Sequence, residues 1–489
     1  MLKPWAPVAG AIAALAASTL AVVLQPRAFD LKTGGMGTLA APNGGADTAY
    51  LNSDTVLSLI NATPYRWRRA SSTATWAKAC WLNNDCADSA GEVEYRMEGT
   101  ARPASLSFRY HNRRRGDPLV SVALGGELAA LGTRHELPFL LLPGGSGFVV
   151  AGTEGDFVSH DAPVGWMQEM LPELGNATLR EVVLPRSHHA GLNGGTRLGL
   201  GGYANTQVQS ASLEEQLGEG GVRVLDFRAA RVPGGRFREC HIAKVARVAH
   251  GMLGSWLDDM VDAINRFNAR TPGELVVLDV HDEALDATRA WARLDLAARR
   301  ELFAALLRLE HRAAVPDDKD VSRWPLARLV GGGASAVLVN FHDSWRRDDP
   351  AGFPGGREGF VSGQNLPLTH RWSDTDSVEA LVADQVRHFR RLRTTRDSRV
   401  HIADWILTQQ GLTAVVPQPA LIDLSSHAWR ELYGALWDMS DSESYPNWIA
   451  VDHVQGSMHK AIVMAMNHCL VARRCGALGG KVKMPAPEP

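Results

Sequence analysis

The run Gly221-Val222-Arg223-Val224-Leu225-Asp226-Phe227-Arg228 decides how this chain is read. It is short, mostly apolar and closed by charge, the pattern of a buried strand whose end reaches a polar rim. Comparable runs recur towards the C-terminus. Strands are predicted over 275–280, 336–340, 400–406 and 448–454, and helical stretches around 291–309 and 378–392. Leu253, Trp256, Leu257, Met260, Val261, Ile264 and Phe267 form one apolar helix face that stops before Pro272. This alternation from Trp166 onward predicts an α/β fold, with a parallel sheet closed or nearly closed into a distorted TIM-type (β/α) barrel. Such barrels carry their functional groups where the strands end. His188, Arg228, His250, His281 and Asp452 all fall at or near predicted strand ends.

Upstream the pattern changes. Residues 49–160 hold short alternating runs such as Ala104-Ser105-Leu106-Ser107-Phe108 and Leu119-Val120-Ser121-Val122, separated by Gly and Pro, which predict a small all-β, sandwich-like module. Residues 30–48 are rich in Gly and Ala and read as a linker, and 476–489 as a disordered tail. Within 1–29 the apolar run from Val8 to Leu24 is either a signal peptide or an uncleaved membrane anchor. Both readings put the barrel, 161–475, on the extracytoplasmic side, secreted or anchored. The five cysteines agree with an oxidising compartment: Cys80 and Cys86 lie close together, as do Cys469 and Cys475, leaving Cys240 unpaired. Asn61-Ala62-Thr63 and Asn176-Ala177-Thr178 are glycosylation sequons.

With 489 residues and a formal net charge of −2, the chain shows no bulk attraction for nucleic acid, and any anion must be held locally. Two histidine motifs offer a way to do that: Pro185-Arg186-Ser187-His188-His189-Ala190-Gly191 and Val248-Ala249-His250-Gly251. Imidazoles exchange protons near neutrality, and a guanidinium fits phosphate oxygens in a bidentate fork. Two imidazoles and Arg228 at one rim would suit phosphodiester cleavage. The stretch 341–372, which carries Trp345, Arg346, Arg347 and Trp372, reads as a long loop that either shapes access for a lipid headgroup or packs on the barrel.

These motifs, in this order, resemble the X region of phosphatidylinositol-specific phospholipase C, as found in bacterial enzymes and in fungal phospholipase C-like phosphodiesterases. The resemblance covers about 166–300. A strand ending in Pro-Gly-Thr/Ser-His-Asp/Asn-Ser is matched by Pro185 to Ala190, with Arg186 and His189 as departures. Asn205-Thr206-Gln207, Gln216-Leu217, Gly221 to Arg228, His250-Gly251 and Pro272-Gly273-Glu274-Leu275 follow in the family's order, and Pro446 to Asp452 resembles its last barrel strand. Residues 59–65 resemble, more loosely, the start of the β module that fungal members carry.

The resemblance implies attack of an inositol hydroxyl on its own phosphate, releasing diacylglycerol. His188 would be the base, His250 the acid, Arg228 the phosphate clamp, and Asp452 the carboxylate behind His188. His189, Asp226 and His281 are the expected substrate-binding residues. Arg228 stands where calcium-dependent members place an acidic side chain, so the expectation is no metal and no cofactor. The expected partners are a phospholipid or inositol phosphodiester and a membrane surface. His189, where metal-independent members carry Asp, leaves open a binding protein that keeps the pocket without turnover. A phosphodiesterase for another lipid headgroup is also open.

Overall fold

The computed structural model describes residues 46–475 apart from 53–54, 74–89, 112–118, 133, 139–145, 161–162, 246–247 and 411–418. The apolar run Val8 to Leu24, the pair Cys80 and Cys86, the 476–489 tail and most of the 30–48 stretch lie outside the described residues. That stretch ends in a strand, which begins at Ala46.

Eight parallel strands make the barrel: β1 (Leu184–Ser187), β2 (Val224–Phe227), β3 (Leu275–Val280), β4 (Ala336–Phe341), β5 (Phe360–Ser362), β6 (Leu368–Thr369), β7 (Val400–Trp405) and β8 (Trp448–Val451). Their order is β5-β4-β3-β2-β1-β8-β7-β6, a sheet curled round on itself with its open seam between β5 and β6. Every residue of β3, β4 and β7 is buried, as expected for strands covered on both faces. The fold is thus α/β, a distorted TIM-type barrel preceded by a small all-β module.

The 341–372 stretch is more ordered than a loop. It holds β5, β6 and a short helix, Asp343–Asp348. Trp345 is only 1% exposed and packs with Phe303 and Phe341, so it belongs to the barrel core. Trp372 remains outside, 56% exposed, with its indole N–H donated to Thr408 Oγ1.

The helix after β2 begins later than its apolar spacing suggests, at Leu257, and runs to Arg270. Leu257, Met260, Val261, Ile264 and Phe267 are its buried face, with Asp258 and Asp259 in the first turn and Arg270 in the last, the sense favoured by the helix dipole. Leu253 and Trp256 belong instead to a strand, Val248–Trp256, paired antiparallel with Phe237–Val245. This ribbon is the centre of a six-stranded sheet beside the barrel. Gly251 at φ +147° permits the pairing, since a Cβ there would meet the His241 carbonyl oxygen at 2.0 Å.

The N-terminal module has a four-stranded and a five-stranded sheet. Trp67, Tyr95, Leu106, Phe108, Val122, Phe148 and Val150 share the core between them. Along the strand Ser146–Thr153 the alternate residues Val149 and Ala151 face the other way, into the barrel's own core. The helix Met458–Met466, all nine residues buried, lies between that sheet and β1. Asn61 is 5% exposed, donates its amide to the Tyr65 carbonyl and accepts from Thr63, which removes it as a glycosylation acceptor; Asn176 is exposed. Cys469 and Cys475 are disulfide-bonded and Cys240 is free and buried. Among the described residues, no helix is long and apolar enough to cross a membrane.

Three buried imidazoles outside the site make the fold sensitive to acid. Burial brings His401 and His453 down to about 4 and His459 to about 3. The unfolded chain binds these protons near ~6.5, so stability from keeping the rings neutral is complete above that value and is lost as pH falls through the folded values. Each tenfold weakening of proton binding is worth about 1.4 kcal/mol, so the three rings together cost several kcal/mol once all are protonated. Thermal melts from neutral pH to about pH 4 are expected to show a steadily falling midpoint. A flat profile would refute this account.

Candidate active site

β1 and β8 run side by side with Ser187 opposite Val451, so the next residue of each strand, His188 and Asp452, emerges next to the other. His188 Nδ1 lies 2.7 Å from Asp452 Oδ1. Gln209 clamps the junction by donating its amide to the carbonyls of His188 at 2.7 Å and Val451 at 3.3 Å. Arg228 enters from β2, at the point where that strand leaves the barrel sheet and continues as Ala229–Arg231 in the six-stranded sheet. Its Nη2 donates to His188 Nε2 at 3.2 Å. A guanidinium only donates, so Nε2 holds the lone pair and the ring's proton sits on Nδ1, directed at Asp452. That is the tautomer of a general base.

Beneath this pair the charges are fully enclosed. Arg186 Nη2 lies 3.1 Å from Asp226 and 3.0 Å from Asp279. Burial by itself would raise Asp226, but Arg186 and Arg228 outweigh it and hold the carboxyl well below the usual carboxylate range. Asp226 is only 1% exposed and also accepts from the His189 backbone N–H. It forms the floor of the site and offers no face to a substrate.

His189 departs from its expected place for the same reason. Its backbone is left-handed, φ +44°, its side chain is 1% exposed, and its Nδ1 lies 2.9 Å from Glu239 Oε1. Burial and the nearby Arg228 drive the ring well below its ordinary pKa, while burial and Asp226 push Glu239 well above its own. His281, just beyond β3, stays partly exposed beside Arg228 and is lowered by burial and that guanidinium. Arg228 also reaches Glu283 at 3.3 Å.

The second histidine of the cluster is one that the sequence motifs pass over. His241, on the ribbon strand Phe237–Val245, has its ring 4.7 Å from that of His189, which in turn lies 4.5 Å from His188. Its Nδ1 donates to the Thr206 carbonyl at 3.1 Å, which leaves Nε2 to titrate. Burial, then Arg228, brings it to about 4. His250 lies on the same ribbon face but two cross-strand pairs nearer the hairpin end, and its Nδ1 accepts from the Leu200 backbone N–H at 2.9 Å. The spacing hides this because eight residues, 242–249, separate this half-buried histidine from the His-Gly pair. Alternation along Phe237-Arg238-Glu239-Cys240-His241 is the signal that could have revealed it.

A parallel barrel whose mouth holds an aspartate-backed imidazole, a second imidazole and a guanidinium is equipped for acid–base chemistry on an anion. No protein-family model and no curated protein matches the chain. Among solved structures it is similar to a mutant phosphatidylinositol-specific phospholipase C from Staphylococcus aureus, with 14% identity, a TM-score of 0.44, and 62% of this chain and 98% of that one covered. The phosphatidylinositol-specific phospholipase C from Listeria monocytogenes gives 13% identity, a TM-score of 0.45, and 62% and 98% covered.

The tautomer can be read directly. Nitrogen-15 NMR of the histidine rings at neutral pH is expected to show His188 protonated on Nδ1, and Asp452→Asn to abolish that preference. A wild-type ring protonated on Nε2 would contradict the hydrogen-bond assignment.

Proposed function

We propose that the chain is a phospholipase C-like phosphoric diester hydrolase that cleaves phosphoinositide-type diesters without a metal ion. The observation that carries the reading is the His188 lone pair, oriented from behind by Asp452 and met by Arg228 at 3.2 Å. A phosphodiester drawn onto Arg228 would displace that contact and put a neighbouring hydroxyl in its place. His188 Nε2 takes the hydroxyl proton as its oxygen bonds to phosphorus. The bond from phosphorus to the lipid oxygen breaks, and His241 Nε2 gives its proton to the departing alkoxide. Diacylglycerol and a cyclic inositol phosphate result. Arg228 offsets the charge that builds on the phosphorane, often the largest single contribution to such a rate. His281, partly exposed on the far side of Arg228, is suited to bind substrate.

The role first expected of His250 passes to His241, which shares the buried cluster with His188. Free His241 is uncharged at neutral pH, and its protonated fraction falls as pH rises above about 4. The negative charge of a bound diester restores the proton. The same low value favours a second reading, a phosphoinositide-binding protein without turnover. The proposed setting is a membrane surface on the extracytoplasmic side, which the Val8 to Leu24 run and the Cys469–Cys475 disulfide support.

Incubation with phosphatidylinositol vesicles in excess chelator, followed by phosphorus NMR, tests the reading. Cyclic inositol phosphate is expected, and none from His188→Ala. His241→Asn should lose about 10²-fold or more in kcat, the usual worth of a general acid, and His250→Asn less than about 10-fold. Turnover is expected to be faster near ~pH 5.5 than near ~pH 7.5, because the acid must be protonated. Vesicle binding without product would favour the binding protein, and a chelator-sensitive reaction would remove the metal-free mechanism.

A further inference from the structure

Glu239 is wholly buried, yet it contacts the residues that follow β1 and β2, next to His188 and at Arg228. Its carboxyl shares a hydrogen bond with His189 Nδ1 at 2.9 Å, and both its oxygens accept from the Arg228 backbone N–H, at 3.2 and 3.3 Å. His189 directly follows His188, and Glu239 stands two residues before His241 on the ribbon. One carboxyl therefore ties the end of β1, the end of β2 and the ribbon together beneath the three groups.

Stability alone does not account for such a pair. A buried ionisable pair is often replaced by packed apolar residues at no loss, or with a gain. The left-handed backbone of His189 adds strain of the kind that collects at functional sites. We propose that Glu239 and His189 form one hydrogen-bonded strut, and that this strut, with no carboxylate at position 189, sets the spacing of His188, Arg228 and His241. The inference rests on the phosphodiesterase reading for its kinetic consequences only. Both members are positioning residues.

The groups facing the strut are His188 from β1, Asp226 and Arg228 from β2, His241 and Cys240 from the ribbon, and His281 from beyond β3. In these surroundings burial favours the uncharged forms, with the Glu239 carboxyl donating to His189 Nδ1. Glutamine can make the same donation and still accept from Arg228, so Glu239→Gln mimics the strut while leucine cannot.

The test uses full-length protein with Glu239→Gln, Glu239→Leu, His189→Leu and the Leu/Leu double variant. Glu239→Gln is expected to stay within about 3-fold of wild type in kcat. Each leucine variant should lose roughly 10-fold or more in kcat with KM little changed, a fraction of what a general acid is worth. The double variant strands only the Arg228 backbone N–H, fewer polar groups than Glu239→Leu, and should lose no more than either single, the non-additivity of one unit. Ring NMR of His188 and His241 needs no substrate and should shift in the leucine variants but not in Glu239→Gln. Unmoved rings in the folded double variant, or losses that add, overturn the strut. Wild-type protein that turns over no phosphoinositide while its rings respond as described overturns the phosphodiesterase reading and leaves the strut standing.

Discussion

A single guanidinium in the middle of the barrel governs the polar architecture above it. Arg186 is 6% exposed, and a charge taken that far out of water costs several kcal/mol unless it is paired with good geometry. Asp226 and Asp279 supply the pairing, and Asn340 on β4 steadies Asp279 by donating to its second oxygen at 2.8 Å. Because side chains alternate along a strand, a slip of one residue in β1, β2 or β3 would turn one member of this group away and strand the others. The register that satisfies Arg186 also decides where the mouth residues point. His188 lies two positions beyond Arg186 and Arg228 two beyond Asp226, each following its inward-facing predecessor.

The enclosed salt-bridge layer explains why Arg186 and His189 belong together. With Arg186 beside it, Asp226 is committed to the floor, where it also holds the His189 backbone N–H. The side chain at 189 is thereby directed down towards Glu239, away from the mouth. Sequence alone shows Arg186 and His189 three positions apart, and the geometry links them through the same buried charge.

The barrel is legible because parallel strands covered on both faces are written as largely apolar runs, and β2, β3, β4, β7 and β8 all have them, interrupted only by Asp226, Asp279, Asn340, His401 and Asp404. β5 and β6 are not, since three residues and two are too few to carry a pattern. The ribbon escapes for a different reason: Leu253 and Trp256 fall in phase with the helix that follows, so a strand passes for its first turn. Its connection, Ala246-Arg247, has no Gly or Asn to announce a hairpin. Arg228 and Asp452 are legible because each stands directly after a largely apolar strand, and His188 because it lies in the Pro185 to Gly191 motif. His241 and Glu239 stay hidden because they lie mid-strand in a ribbon that pairing alone defines, and their role depends on contact with His189, about fifty positions away.

The strand Ser146–Thr153, with one face in the sandwich core and the other against Met458–Met466, carries an implication for how the chain is made. Its sheet leaves the ribosome well before the helix that covers its second face, Met458–Met466. The Tyr433 hydroxyl meets the Asn61 carbonyl across 372 positions of sequence, and Arg474 reaches Asp156 across 318. Contacts that distant close slowly and only after the later partner has been made. Until then an apolar sheet face stands open in the nascent chain. Native assembly therefore waits on the Met458–Met466 helix, and a polypeptide released before Met458 would keep the two-sheet core but expose an apolar face open to association with other chains.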